Sequence, residues 1–178
     1  GKWSGKISID EKYIKIKGVP HYVITIVDFV TGIPLYMNVY LNTCKESYEQ
    51  CLLTFKNLYK KDPLLIVSDG SQALKAGRMA VFPQVPHQLC KFHKIKNLFA
   101  VISKCSLTEA QDKWLKKKVV KVFGRKTVSG RKKGLTQLTT ILPTPAADYV
   151  FSNVIKHWPN LSKSLTSNVS ERFNRKIK

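Results

Sequence analysis

Leu64-Leu65-Ile66-Val67-Ser68-Asp69-Gly70 is the stretch whose reading decides the fold. A short continuous apolar run, bounded by Pro63 and Gly70, has the composition of a strand covered on both faces. It ends on a carboxylate, Asp69. In open α/β sheets, ligands and catalytic groups gather at the carboxyl ends of the strands. The run therefore predicts a mixed α/β fold and the position of its site.

Upstream, residues 6–16 read as a first strand. Ile7 and Ile9 share one parity and Ile14 and Ile16 the other, which predicts a bulge or twist near Lys12 and Tyr13. Asp10 falls mid-strand, where Asp is disfavoured; either it has a purpose or it is an edge-strand charge facing solvent. Residues 22–30 and 33–41 read as two more strands joined by a turn at Thr31-Gly32. Residues 47–59 carry the apolar stripe of a helix through Cys51, Leu52 and Phe55. Beyond Gly70 a helix through Ala80 and a fifth strand over 85–89 are predicted.

From Lys91 the pattern becomes helical. Leu98, Phe99, Ile102 and Cys105 share one side of a helix over 94–105. Ser106-Leu107-Thr108-Glu109 has capping-box spacing and opens a helix carrying Trp114, Leu115, Val119, Val122 and Phe123 inward, ended by Gly124. Residues 125–134 read as a basic loop. Helical pieces over 135–142 and 146–158 flank Pro143-Thr144-Pro145, and a last helix starts near Asn168. This order predicts the first part of an α/β core over 1–93, an all-helical insertion over 94–165, and a closing core helix over 166–178. Because the chain opens at Gly1 without Met and stops inside that helix, we expect a fragment of a longer protein.

Charge narrows the function. Lys and Arg outnumber Asp and Glu by 31 to 11, a net charge of +20 with a pI near 9.9. Such a field points to a polyanion, most often nucleic acid, rather than to a generically lysine-rich surface. No stretch joins a long apolar run to basic flanks, which argues against a membrane partner. Cys44, Cys51, Cys90 and Cys105 are unevenly spaced and read as free thiols of a reducing compartment. The densest basic tract is Lys113, Lys116, Lys117, Lys118 and Lys121 with Arg125, Lys126, Arg131, Lys132 and Lys133. With Trp114 among them, these residues are expected to track a DNA backbone, the alternative being a solvated face.

Against that background the acids are scarce, and three stand out: Asp10, Asp69 and Glu171. Carboxylates converging on one point repel unless cations lie between them. All-oxygen ligation of that kind suits Mg²⁺, and two such ions can serve an in-line phosphoryl displacement. Each acid has a plainer reading. Asp69 could cap the next helix or serve the Ser-Asp-Gly turn; Asn168-Val169-Ser170-Glu171 is itself a capping-box spacing; and Asp28, also at a strand end, is a rival ligand.

Asp10-Glu-Lys-Tyr-Ile-Lys-Ile-Lys-Gly18, Val67-Ser-Asp69-Gly70, residues 82–97 with Cys90-Lys-Phe-His93, and Thr166-Ser-Asn-Val-Ser-Glu171-Arg-Phe-Asn174 together resemble a DDE transposase catalytic core. The Cys-x-x-His is similar to that of Mutator-like and related prokaryotic insertion-sequence transposases. The resemblance implies an RNase H-like mixed sheet flanked by helices, with a helical insertion before the last catalytic helix. It implies Asp10, Asp69 and Glu171 as ligands of Mg²⁺ or Mn²⁺, two ions being expected. It also implies hydrolysis at transposon ends, strand transfer into target DNA, and a homo-oligomer assembled on DNA. The alternatives are a nuclease of the same fold that does not join, or an inactive DNA-binding remnant. Localisation would be cytoplasmic and nucleoid-associated in a prokaryote, nuclear in a eukaryote. Cys90 and His93 read as a structural pair at the junction of core and insertion, or as a contact to DNA. A zinc site would need His87 and Cys105 to complete four ligands.

Overall fold

The structure, a computed structural model, describes residues 3–155. Glu171 and the expected closing helix lie outside the described residues. Two compact units are present, one running to Cys90 and one starting at Lys91.

The first unit contains β1 (Lys6–Ile16), β2 (Val19–Asp28), β3 (Pro34–Tyr40), α1 (Lys45–Tyr59), β4 (Leu65–Ser68), α2 (Gln72–Val81) and β5 (His87–Leu89). The sheet order is β3-β2-β1-β4-β5. β1, β2 and β3 form an antiparallel meander, while β4 and β5 run parallel to β1. This is the mixed sheet of the RNase H-like fold. The two crossovers to parallel strands carry α1 and α2. Both helices pack on the sheet face formed by Ile7, Ile9, Ile24, Ile26 and Ile66, contributing Tyr48, Cys51, Leu52, Phe55, Leu74 and Val81 to one core. A Cβ on Gly77 would stand 2.8 Å from Tyr48 Cβ and 2.9 Å from Lys45 O, so a side chain there would push the helices apart. Ile66, Val67 and Ser68 are all buried, which fits a strand covered on both faces.

No bulge interrupts β1. Its pairing with β2 runs unbroken from Ile7↔Asp28 to Ile16↔Val19, and the register shift lies instead between β2 and β3 at Ile26 and Val27. The parity change has another cause: the hairpin runs on past its other partners. β4 pairs β1 only from Lys6 to Ser8, and the tip residues Ile16 and Val19 are exposed. Lys17 and Gly18 both have positive φ, the signature of a two-residue type I′ hairpin turn. β2 consequently begins three residues earlier than its apolar run suggests.

The second unit contains α3 (Lys91–Ile102), α4 (Glu109–Phe123), α5 (Val128–Thr139), α6 (Thr144–Tyr149) and a π-helical turn over Val150–Ile155. Its core includes Leu98, Ile102, Leu115, Val119, Phe123, Leu135 and Leu138. Three expectations are corrected here. The capping box is built by Thr108 and Gln111, not Ser106 and Glu109, placing Glu109 in the first turn, where a carboxylate favours the helix dipole. Trp114 is 48% exposed and does not join the core. Residues 128–134, assigned to a loop, belong to α5, whose cap is the Thr127 hydroxyl accepting from Gly130 N. Two glycines and three cations hide a real stripe there, through Arg131, Gly134, Leu135 and Leu138, all buried.

Candidate active site

β1 and β4 are parallel neighbours in the register Lys6↔Leu65, Ile7↔Ile66, Ser8↔Val67. Two residues further along the chain stand Asp10, within β1, and Asp69, just past the end of β4. Side chains alternate with period two, so Asp10 falls on the face of Ser8, opposite the helix-packed isoleucines, while Asp69 follows the last residue of β4. Adjacent strands lie about 4.8 Å apart. The register thus brings Asp10 and Asp69 to about the same level of two neighbouring strands, at the carboxyl end of β4. Asp10 is 9% exposed and pairs across the antiparallel ladder with the buried Thr25.

The turn after β4 is shaped around Asp69. Asp69 Oδ1 accepts from Ser71 N at 2.9 Å, an Asx turn. Ser71 then caps α2, its hydroxyl accepting from Leu74 N at 3.2 Å. The helix cap is therefore Ser71, and Asp69 serves the turn. Gly70 has φ +90°, and a Cβ there would lie 2.3 Å from Leu89 Cδ2. Only glycine suits both the backbone and the space.

Behind this pair, the Ser68 hydroxyl lies 2.8 Å from His87 Nε2. Burial, reinforced by the positive charges of Arg78 and Lys75, pushes the His87 imidazole down to about 4, against the opposing pull of Asp69. The ring is therefore neutral at physiological pH. On the same helix-packed face Glu11 accepts from the Tyr48 hydroxyl, whose pKa burial and the charges of Glu11 and Asp69 drive upward. Sequence reasoning passed over Glu11 and Tyr48, and weighed His87 only as a zinc ligand. The available signal was an acid at Glu11 sharing the parity of Ile7 and Ile9, which turns it toward the helices.

Asp28 is no ligand partner for Asp10. It pairs with Ile7, so it lies on the opposite face and nearer the start of β1. Its carboxylate is fully engaged. Oδ2 accepts from Ser4 N, and Oδ1 accepts from the Ser4 hydroxyl (2.9 Å), Val30 N (2.8 Å) and Thr31 N (3.0 Å). Burial raises this carboxyl's pKa, but those bonds outweigh it and hold it below the ordinary value.

Asp10 and Asp69 supply hard oxygen donors of the type Mg²⁺ and Mn²⁺ accept. The third acid, Glu171, is outside the described residues, and among those residues no group of three His, Cys, Asp or Glu is gathered. Cys90 is buried at the end of β5, its N–H donating to Ser68 O at 2.6 Å, and His93 lies in α3. Cys105 Sγ donates to Val101 O at 3.4 Å. A four-ligand zinc set is not assembled among the described residues.

In the helical unit the basic tract divides. Lys113 pairs with Glu109, and Lys116 pairs with Asp112 at 2.7 Å. Arg131 is 5% exposed, and its Nη1 donates to the carbonyls of Arg125 (2.6 Å) and Lys126 (3.3 Å), clasping the α4–α5 turn. Arg125 Nη1 donates to Gly130 O. Lys117, Lys118, Lys121, Lys126, Lys132 and Lys133 face solvent. Among the described residues, no helix is long and apolar enough to cross a membrane.

Residues 18–97 match the family model of the MULE transposase domain. The match contains Asp69, Cys90 and His93, and lies between Asp10 and Glu171. No curated protein matches the sequence. Among solved structures, the HTLV-2 integrase catalytic core domain in complex with magnesium is similar in its trimeric form, with 16% identity over 65% of this chain and 81% of that one, TM-score 0.40. Its dimeric form gives 17% identity over 63% and 82%, also at 0.40. A simian T-cell lymphotropic virus intasome in complex with the PP2A regulatory subunit B56 gamma gives 11% identity over 97% of this chain and 55% of that one, again at 0.40.

Proposed function

We infer that this chain is the catalytic core of a DDE-type DNA transposase, acting on phosphodiesters at transposon ends and joining them to target DNA. The observation carrying the reading is that Asp10 and Asp69 each follow by two residues a pair on adjacent parallel strands, in a chain with a net charge of +20. The transposase-domain match over residues 18–97 supports it independently.

In this reading Asp10 and Asp69, with Glu171 as third acid, hold Mg²⁺ or Mn²⁺. When bound, the cations neutralise charge building on the scissile phosphate and lower the pKa of the attacking hydroxyl. The chain's own residues do the rest. Gly70 and the Asx turn fix the Asp69 carboxylate at the strand end, so little reorganisation accompanies reaction. The solvent-facing lysines of α4 and α5 hold DNA by its phosphates, which orients the duplex without reading its sequence. In the first step water attacks the phosphodiester and the 3′-oxygen leaves as a free hydroxyl; in the second that hydroxyl attacks a target phosphodiester, whose own 3′-oxygen leaves, so one ester bond forms as one breaks. The working form is a homo-oligomer assembled on DNA.

Incubation with Mg²⁺ and a labelled duplex carrying the element's ends is the test. Cleavage followed by joined product is expected. Cleavage without joining would identify a nuclease of the same fold, and binding without cleavage an inactive remnant.

A further inference from the structure

The sheet face that carries Asp10 also holds a buried hydroxyl without a bond. Thr25 sits in β2 directly across the antiparallel ladder from Asp10. It is 0% exposed, and its hydroxyl oxygen has no hydrogen-bond partner among the described residues. Other buried hydroxyls of this unit are bonded: Ser47 donates to Asn42 Oδ1 at 2.7 Å, and Ser68 lies 2.8 Å from His87 Nε2. An unmade bond at a buried hydroxyl destabilises a fold, so its presence calls for a reason.

Packing supplies none. Thr25 is flanked along β2 by Val23 and Val27, both buried, and faces Met37 on the β3 side. Valine, with the same branched shape and no hydroxyl, would suit that apolar neighbourhood better. On the β1 side Ser8 stands opposite Val27 and Lys12 opposite Val23, which leaves Asp10 as the residue facing Thr25. Across an antiparallel pair the Cβ atoms are about 4.5–5.5 Å apart, so the two side chains are within reach of a bond. A carboxylate that ligates a cation still has lone pairs to offer. A neighbouring donor that engages them fixes the orientation of the ligand. Thr25 has the proton, the burial and the position to be that donor.

We propose that Thr25 is a positioning residue for Asp10, its hydroxyl donating to the carboxylate when that carboxylate holds Mg²⁺ or Mn²⁺. The assignment rests on the cation-dependent reading above and adds to it a residue that touches neither the ion nor DNA. Removing the hydroxyl should therefore act with opposite signs on folding and on cation binding.

The test measures Mn²⁺ binding to the full chain by water-proton relaxation, and thermal unfolding without divalent cation. Thr25→Val should weaken Mn²⁺ binding about tenfold or more, the usual effect of losing an outer hydrogen bond to a ligand. The Mg²⁺ concentration for half-maximal cleavage should rise by a similar factor. The unfolding midpoint of this variant should be unchanged or higher, because an unbonded buried hydroxyl is gone. Thr25→Ser, which keeps the donor, should bind Mn²⁺ within about twofold of the wild-type chain. Wild-type Mn²⁺ affinity in Thr25→Val would overturn the assignment. So would a Thr25→Val chain that unfolds at lower temperature or fails to fold, since the hydroxyl would then serve the fold. Equal weakening by Thr25→Ser would overturn it too, because shape and not the donor would matter. Asp10→Asn is the reference: if it weakens Mn²⁺ binding and Thr25→Val does not, the role of Thr25 alone falls. If the wild-type chain does not bind Mn²⁺, or Asp10→Asn binds it equally well, the cation reading falls with it.

Discussion

Asp10 and Asp69 each lie two residues beyond the paired Ser8 and Val67, Asp10 within β1 and Asp69 just past the end of β4. Two carboxylates so placed repel, and the repulsion is relieved by cations or by a proton. Asp10→Asn and Asp69→Asn should therefore each leave the fold intact, with stability unchanged or slightly raised. Strand cleavage in Mg²⁺ should fall at least about a hundredfold, because several kcal/mol of charge stabilisation are removed. Denaturation and cleavage assays on the same preparations separate the two effects. Full cleavage by either variant would refute the ligand role.

Asp28 provides the matched control. Its carboxylate accepts four hydrogen bonds that organise the β2–β3 turn and the chain at Ser4. Asn offers one acceptor oxygen in place of two, leaving N–H groups unpaired, so Asp28→Asn should cost about 1–3 kcal/mol of stability while cleavage persists. The pKa of Asp28 is lowered on folding. Its contribution is accordingly complete above the ordinary carboxylate pKa and disappears as pH falls through the folded value. Asp28→Asn should flatten the acid limb of the stability curve.

Gly70→Ala examines the turn that presents Asp69. The left-handed backbone at φ +90° costs an L-residue roughly 1–2 kcal/mol, and the added Cβ also displaces the Leu89 side chain. Cleavage should drop about tenfold or more although no acid is removed, since about 1 Å of misplacement is costly in a preorganised site. A variant destabilised yet fully active would show that Asp69 need not be held by this turn.

His87 sets a different acid limit. Its folded pKa of about 4 lies below the unfolded reference of 6.5. Between those values the unfolded chain binds the extra proton, so stability is whole above about pH 6.5 and declines as pH falls toward 4. The shift corresponds to roughly 3–4 kcal/mol at most. His87→Gln should remove this slope while retaining a polar partner for the Ser68 hydroxyl. An identical slope in urea midpoints of the two proteins would place the titration elsewhere.

The elements legible in the sequence were those whose apolar pattern matched their surroundings. Ile66 and Val67 announced a doubly covered strand, but its parallel pairing with the strand that carries Asp10 is a long-range relation that no local pattern encodes. The β1–β2 hairpin misled because Lys17-Gly18 turns the chain outside the core, where apolar parity has no meaning. α5 was concealed by its own composition: Arg131 behaves as a core residue once its guanidinium is bonded to backbone carbonyls. Trp114 reads inward together with its apolar neighbours, yet it lies beside the Leu115–Val119–Val122 stripe rather than on it.

The division of the basic tract supplies the last expectation. For duplex DNA, log affinity falls against log salt with a slope of about 0.9 for every phosphate the protein neutralises. Lys117, Lys118 and Lys121 face solvent on α4. Replacing all three by glutamine should make the slope shallower by about 0.9 for each one that touches a phosphate, with the fold unaffected. Arg131→Gln removes an equal unit of charge, but that charge is buried and bonded to the carbonyls of Arg125 and Lys126. It should lower stability by about 1–3 kcal/mol through the unpaired carbonyls and leave the salt slope where it was. If the lysine variant kept the wild-type slope while Arg131→Gln flattened it, the phosphates would be held by the α4–α5 turn and not by the exposed face of α4.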